Sequence, residues 1–250
     1  MGARFWEVGH WPTLVSAFLY FDVSFMAWML LGALGNYIAD DFGLTPAQKG
    51  LMTALPLLGG AGLRLVFGQL TDTLGAKRAG CVGLALTILP LLGGWLWADS
   101  LGKVFAVGLL VGVAGAGNSG TLLATLFAPR LAEAHGWHAV FGLALVPLAL
   151  VAVVFVVCAK EAPQPIGVAP RAGSGRGAGA DFRAVLKERD AWLFSLFYAV
   201  TFGGFVGLAS FLSIFLHDQY GVSRVRAGDL ASLCVLAGSL LRPVGGRLAD

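Results

Sequence analysis

Long apolar runs separated by short polar breaks organise this chain. The first extends from about Trp11 to Ile38, and others cover about 46–70, 79–98, 102–127, 140–157 and 191–215. A last run follows Asp229 and continues to Asp250. A helix needs about 20 apolar residues to cross the hydrocarbon core of a bilayer, so the pattern predicts about seven transmembrane helices. The first run exceeds that length and is expected to cross with tilt. Thr45, Pro46 and Gln48 supply a cap, a first-turn proline and a capping-box partner, which sets the start of the second helix. From Lys160 to Asp190 the apolar pattern lapses. The stretch APQPIGVAPRAGSGRGAGAD within it reads as a flexible linker, with a short surface helix expected over Phe182–Arg189. The chain thus divides into an N-terminal transmembrane bundle, residues 1–158, a linker, 159–190, and the start of a second bundle, 191–250.

Composition agrees with an all-α integral membrane protein that has the lipid bilayer as its solvent. Only 12% of residues are charged and 57% are hydrophobic, with a mean hydropathy of +0.79; a soluble domain carries about a quarter charged residues. The net charge of +3 comes from basic residues scattered between apolar runs, which argues against a nucleic-acid partner. Cys81, Cys158 and Cys234 stand apart in or beside apolar runs and read as packing residues. His135 and His138 lack a third metal ligand nearby. No metal or cofactor is indicated, and the spans hold no HExxH or nucleophile-base motif, so an enzyme is not expected. Residues 1–11 do not resemble a cleaved leader, and no processing is expected there.

A few polar side chains stand inside the apolar runs. Arg64 lies in GAGLRLVFGQLTD, where a guanidinium at membrane depth is costly and marks a bundle interior or an ion path. Gly60, Arg64 and Gly68 share one helix face, which lets a partner helix approach the arginine. The pattern returns as GSLLRPVGGRLAD at a constant offset of 178 residues, pairing Arg64 with Arg242 and Asp72 with Asp250. Two copies of one helix, each with an arginine four residues before a glycine, suggest repeated halves facing a polar site. Asp22 is a candidate proton site or a hydrogen-bonding partner for a neighbouring helix. Phe18, Phe21, Phe25 and Trp28 form a stripe on the same helix, suited to helix packing or substrate contact. Asn118 sits among glycines in GVAGAGNSGTLL. Tyr198 and Thr201 are the polar members of FYAVTFGGFVGLASF.

The turn GQLTDTLGAKR, with Gly68, Asp72, Gly75, Lys77 and Arg78, resembles the loop motif of the major facilitator superfamily, and Gly246 and Asp250 repeat its opening. The resemblance implies a gate that holds one face closed, although Thr73 replaces the usual arginine after the aspartate. GAGNSG, FYAVTFGGFVGLASF, HDQYGVS and GSLLRPVGGRLAD together are similar to the nitrate/nitrite porter branch. That resemblance covers nearly the whole chain and implies a twelve-helix bundle, of which about seven helices are present. It implies that Arg64 and Arg242 clamp the anion, that Asn118 belongs to the nitrate signature and that Tyr198 hydrogen-bonds the substrate. Planar nitrate and nitrite suit guanidinium forks, which stay charged at physiological pH. The implied function is transport of nitrate and nitrite by alternating access, as exchange or with protons, across the cell (inner) membrane. A porter for another small anion, or a non-transporting remnant, are the other readings.

Charge placement conflicts with this helix count. Lys77 and Arg78 on one side, and Lys160, Arg171, Arg176, Arg183, Lys187 and Arg189 on the other, all belong in the cytoplasm by the positive-inside rule, as does the N-terminus. Three apolar runs separate the two groups, and an odd number of crossings would put them on opposite sides. About one helix is therefore expected to be missing near residues 112–117, and the family's length implies further helices beyond Asp250.

Overall fold

The computed structural model describes residues 10–112, 118–161 and 186–249; within these, the side chains at 63–65, 69, 72, 118, 119, 240, 242–246, 248 and 249 stand outside the description. Among the described residues every regular element is a helix. α1 (Trp11–Ala33) starts at His10, whose ring accepts from the Thr13 amide, with Pro12 in the first turn. After a break at Leu34, α2 (Gly35–Phe42) continues it to Gly43, which takes the left-handed conformation at φ +59°. α3 (Pro46–Leu74) opens on the Thr45–Gln48 capping box that the sequence predicts. Gly75, at φ +86°, turns the chain directly into α4 (Ala76–Leu96). α5 (Leu101–Val111), α6 (Asn118–His135) and α7 (Trp137–Cys158) follow. α8 (Arg189–Tyr198), a π-helical turn (Ala199–Gly203) and α9 (Gly204–Tyr220) form one long rod, and α10 (Arg224–Ala249) returns beside it.

The rod α1–α2 is the axis of the bundle. Phe25, Leu31, Leu34 and Ile38 are fully buried, because helices pack against this rod on several sides. The outward faces are the reverse of a soluble protein, with Val157, Leu96 and Phe194 among the most exposed side chains. Among the described residues, five helical stretches, Trp11–Phe42, Pro46–Gly68, Ala76–Leu96, Trp137–Cys158 and Arg189–Tyr220, are long and apolar enough to cross a membrane.

The single crossing expected over 102–127 is replaced by two shorter helices that enter and leave by the same end. α5 starts near Asp99, which pairs with Lys103 at 2.6 Å, and runs inward alongside α3. Cβ atoms built at Gly108 and Gly112 would press on Leu31 and Pro56 and on the backbone of Gly60. α6 then runs outward along α1. Its Gly120 abuts the backbone of Asp22 and Met26, and its Pro129 carbonyl accepts from the Tyr37 hydroxyl at 2.9 Å. Past Gly136, the Trp137 indole donates to Asp41 at 2.5 Å, and the His138 ring lies 3.1 Å from the Ala98 carbonyl. Both ends of the α5–α6 pair therefore stand at the Asp41–Ala98 end of the bundle. α7 crosses back, so that the Cys158 carbonyl accepts from Thr13 and the Glu161 carboxylate accepts the Lys77 amide at 3.1 Å. The Lys77–Arg78 turn and the start of the linker thus share one end, and the odd count expected from the sequence is corrected. An apolar run reports that a segment is lipid-soluble; it does not report whether the chain turns back.

Two smaller expectations change as well. Pro129, Arg130, Glu133 and His135 belong to α6 and not to a loop, and Arg130 reaches Asp229 of α10 at 2.7 Å. The aromatic stripe splits: Phe25 and Trp28 are buried edge to face with centroids 4.8 Å apart, while Phe18 and Phe21 point outward.

The close approach of α6 to α1 is testable. Gly120→Leu forces a branched side chain into backbone, an overpacking that costs about 1–3 kcal/mol. The detergent-solubilised variant should melt several degrees lower than the parent. Gly62→Ala, at a glycine with nothing within 4 Å, should melt at or slightly above it.

Candidate functional site

Contacts between helices fix the depth of each residue singled out by the sequence. α6 runs parallel to α1, with Gly120 against Asp22 and Met26 and Pro129 against Tyr37. α3 runs antiparallel to α1, with Gly60 against Trp28. On α9, Ser210 meets Met29 and Gly32, and the Ser213 carbonyl accepts from Asn36 at 3.2 Å. On α10, Ser232 meets Thr125 of α6 at 2.8 Å. Carried along each helix at about 1.5 Å per residue, these registers set positions 64, 118, 198 and 242 level with α1 residues between about 17 and 26, a slab roughly 14 Å thick. Asp22, which is buried, lies inside the same slab.

Shared depth is not a shared chamber. The side chains of Arg64, Asn118, Arg242 and Asp72, and Gly246 and Asp250 of the repeated gate motif, lie outside the described residues. Asp22 belongs to the α1 face that packs on α6. Tyr198 is 55% exposed on α8, a helix with no buried residue, and its ring stacks on Phe202 with centroids 5.0 Å apart. The π turn begins immediately after Tyr198. Such turns widen a helix by one residue and recur at functional sites; the neighbouring glycines of TFGG were the available signal, and sequence reasoning did not use it. Of the gate motif, Gly68 has open space around it, Gly75 makes the positive-φ turn, Lys77 offers its amide to Glu161, and Arg78 is exposed.

A cavity of about 420 Å³ opens at the Lys77 end, on the side of α1 away from α6. Thr13, Tyr20, Phe67 and Phe155 form its walls, Gly60 and Gly112 its inner end, and Lys77 and Lys160 its mouth. On α3 the lining residues Gly60, Phe67 and Thr71 recur at helical spacing, and position 64 falls between them on the same face. A passage with Lys77 and Lys160 at its mouth suits a small anion.

The opposite end is held shut by polar contacts that sequence reasoning missed. Lys49 of α3 pairs with Asp218 of α9 at 2.6 Å, Arg130 of α6 with Asp229 of α10 at 2.7 Å, and Arg224 of α10 with Asp40 of α2. The Arg224 guanidinium also lies 4.9 Å from the centre of the Tyr37 ring. Below this belt, Gly228 lies so near the Thr125 carbonyl and Pro129 that a Cβ would stand 2.6 and 2.9 Å from them. Each pair joins residues far apart in sequence, which is why spacing alone did not reveal them.

A helical bundle of apolar spans with a basic-mouthed cavity at one end and an ion-paired belt at the other defines a multi-pass membrane protein of the transporter class. A model of the Major Facilitator Superfamily matches residues 16–119 and 111–250, and the chain belongs to that superfamily of transporters, not to a family of enzymes. Relatives include a "Nitrite extrusion protein" of Bacillus subtilis (strain 168), 31% identical over 91% of this chain and 62% of its own length. The "Probable nitrate/nitrite transporter NarK2" of Mycobacterium tuberculosis (strain ATCC 25618 / H37Rv) is 33% identical over 97% of this chain and 67% of its own. The "Probable nitrate transporter NarT" of Staphylococcus carnosus (strain TM300) is 30% identical over 91% and 63%. The chain thus spans between three fifths and about two thirds of the length of these relatives. The first alignment runs over 255 positions, whereas 91% of this 250-residue chain is about 228 residues, so about 27 positions face no residue here.

Proposed function

We propose that this chain is part of a porter for nitrate and nitrite in the cell (inner) membrane, with its N-terminus in the cytoplasm. What carries the reading is the placement of position 64 on the lining face of a cavity whose mouth bears Lys77 and Lys160. Guanidinium forks match a planar oxyanion with paired donors, and the names of the relatives favour nitrate and nitrite over other small anions. Arg64 and Arg242 are the clamp, Asn118 and Tyr198 its polar partners, and Asp22 the proton site if transport is proton-coupled.

Alternating access follows from the two ends. The Lys77 end is cytoplasmic, because its cations exceed its carboxylates, whereas Lys49, Arg130 and Arg224 at the far end are each matched by an aspartate. With the far end belted and the near end open, the arrangement is an inward-facing state. The gate motif around Gly75 and Lys77 closes the near end in the alternate state. Residues 1–158 and 191–250 are the two moving parts and 159–190 the cytoplasmic tether.

One observation favours a second reading, that the chain binds anion without completing the cycle. α5 and α6 are short, the Bacillus subtilis relative aligns with about 27 positions that face no residue here, and the two superfamily matches overlap at 111–119. We place the shortfall there, as the inner portions of two helices and the turn joining them. Nitrate uptake by cells lacking their own porter separates the readings. The chain as it stands and a version with those positions restored from a relative are expressed side by side. Uptake only by the restored version supports an anion-binding remnant, uptake by both supports a working porter, and uptake by neither overturns the nitrate assignment.

A further inference from the structure

We propose that the mouth of the cavity is an anion-binding station in its own right, where Lys77 and Lys160 hold a small inorganic monoanion and the Glu161 carboxylate competes for the same place. The inference rests on the small-anion reading above but concerns residues outside the arginine clamp. Lys77, in the first turn of α4, and Lys160, just past α7, come from different elements and line one cavity with Thr13 and Thr71. Lys160 is fixed there by its backbone: its amide donates to Thr13 Oγ1 at 2.9 Å, and Thr13 in turn donates to the Cys158 carbonyl.

The second observation is an oxyanion already held at that mouth. Glu161 presents its carboxylate to the Lys77 amide at 3.1 and 3.5 Å, where the α4 N-terminus carries partial positive charge. A Cβ built at Gly75 would stand 2.5 Å from Glu161 Oε1, so the carboxylate is seated against the turn. None of the described lining residues is acidic. Among the described residues, the other charged or titratable groups nearby are Arg78, which adds positive charge, Tyr20 in the cavity wall, Cys158, whose carbonyl accepts from Thr13, and His10, whose ring meets Thr13 Oγ1 at 2.8 Å. Two lysines lining the cavity and a helix terminus, set against one carboxylate, leave net positive charge for a second anion. They also let a diffusing anion and Glu161 exchange, which would hand substrate between cytoplasm and clamp.

Lysine labelling tests this on the whole purified chain in detergent. Reductive methylation rates at each lysine are read by peptide mass spectrometry in sodium nitrate and in sodium gluconate of equal ionic strength. Nitrate should slow Lys77 and Lys160 at least threefold relative to gluconate, while Lys49 and Lys103 stay unchanged. Glu161→Gln should lower the nitrate concentration giving half protection about fivefold, the scale expected for removing one nearby competing charge in a solvated site. Lys160→Gln should remove the protection of Lys77. Equal protection in gluconate, or no shift in Glu161→Gln, overturns the proposal. Arg64→Lys separates the two readings: mouth protection that survives while uptake is lost supports the station, and protection lost together with uptake means that only the clamp binds. A chain that moves no nitrate yet shows nitrate-specific protection leaves the station standing and removes the transport reading alone.

Discussion

Arg64→Lys is expected to lower nitrate uptake by one to two orders of magnitude in the version with the internal positions restored, although the charge is kept. Lysine presents a compact ammonium on a flexible stem, whereas arginine presents two parallel N–H groups to one oxyanion edge. Losing one charge-assisted hydrogen bond of such a fork costs about 1.5–3 kcal/mol, or roughly 10- to 150-fold. The helix should survive, because arginine and lysine have similar helix propensity and position 64 has glycines one turn away on either side. Initial rates of uptake, normalised to membrane-inserted protein by immunoblot, provide the measurement. Unchanged uptake would sink the clamp, and with it the main reason for assigning an anion to this bundle. Arg242→Lys should behave alike, since the two arginines stand at matching places in the repeated pattern.

The second large effect is expected at the belt. Arg224→Glu sets a new carboxylate against that of Asp40, where an ion pair stood, and it also removes the cation over Tyr37. Both partners are more than a third exposed, so the lost attraction is at most about 1 kcal/mol and the new repulsion is of similar size. Together they should raise the population open at that end roughly tenfold. A thiol placed by Ser232→Cys, at the buried contact with Thr125, reports it when Cys81, Cys158 and Cys234 are changed to alanine. A membrane-impermeant maleimide added from outside should label it faster in Arg224→Glu, and the exchanged pair Asp40→Arg with Arg224→Asp should bring labelling back. Equal labelling in all three would mean that apolar packing around Gly228 and Gly32 keeps this end closed without the ions.

Much of the bundle was legible because its rules are local. The capping box at Thr45, the glycine stops and the length of each apolar run are set by neighbours within a few residues, and the helices start and stop near where those signals lie. The repeated arginine was legible for a related reason: a charge among leucines is improbable enough to be conspicuous. The reversal between α5 and α6 was not legible. Its cause is the fit of Gly112 to Gly60 and of Gly120 to Asp22, contacts between residues 52 and 98 positions apart that no window along the chain contains. The belt pairs were hidden likewise. Lys49, Asp40, Arg224 and Asp218 each looked like an ordinary loop charge, and only the approach of α9 and α10 gave them partners. Lys160 and Glu161 were read as the start of a linker, because nothing in that stretch shows that α7 would deliver them beside the α3–α4 turn.

The same-end hairpin of α5 and α6 bears on how such a chain is made. A membrane protein is inserted as it is synthesised, and the sidedness of each later segment follows from the number of passes before it. Losing one whole helix would invert everything downstream, carrying the arginine-rich linker across the bilayer against the bias that retains such segments. A pair of helices that enters and returns can be shortened at its tip, by any amount shared between them, without changing that parity. Length variation at the tip of such a hairpin is therefore invisible to the insertion machinery, and its consequences fall entirely on the polar interior that the two helices would otherwise line.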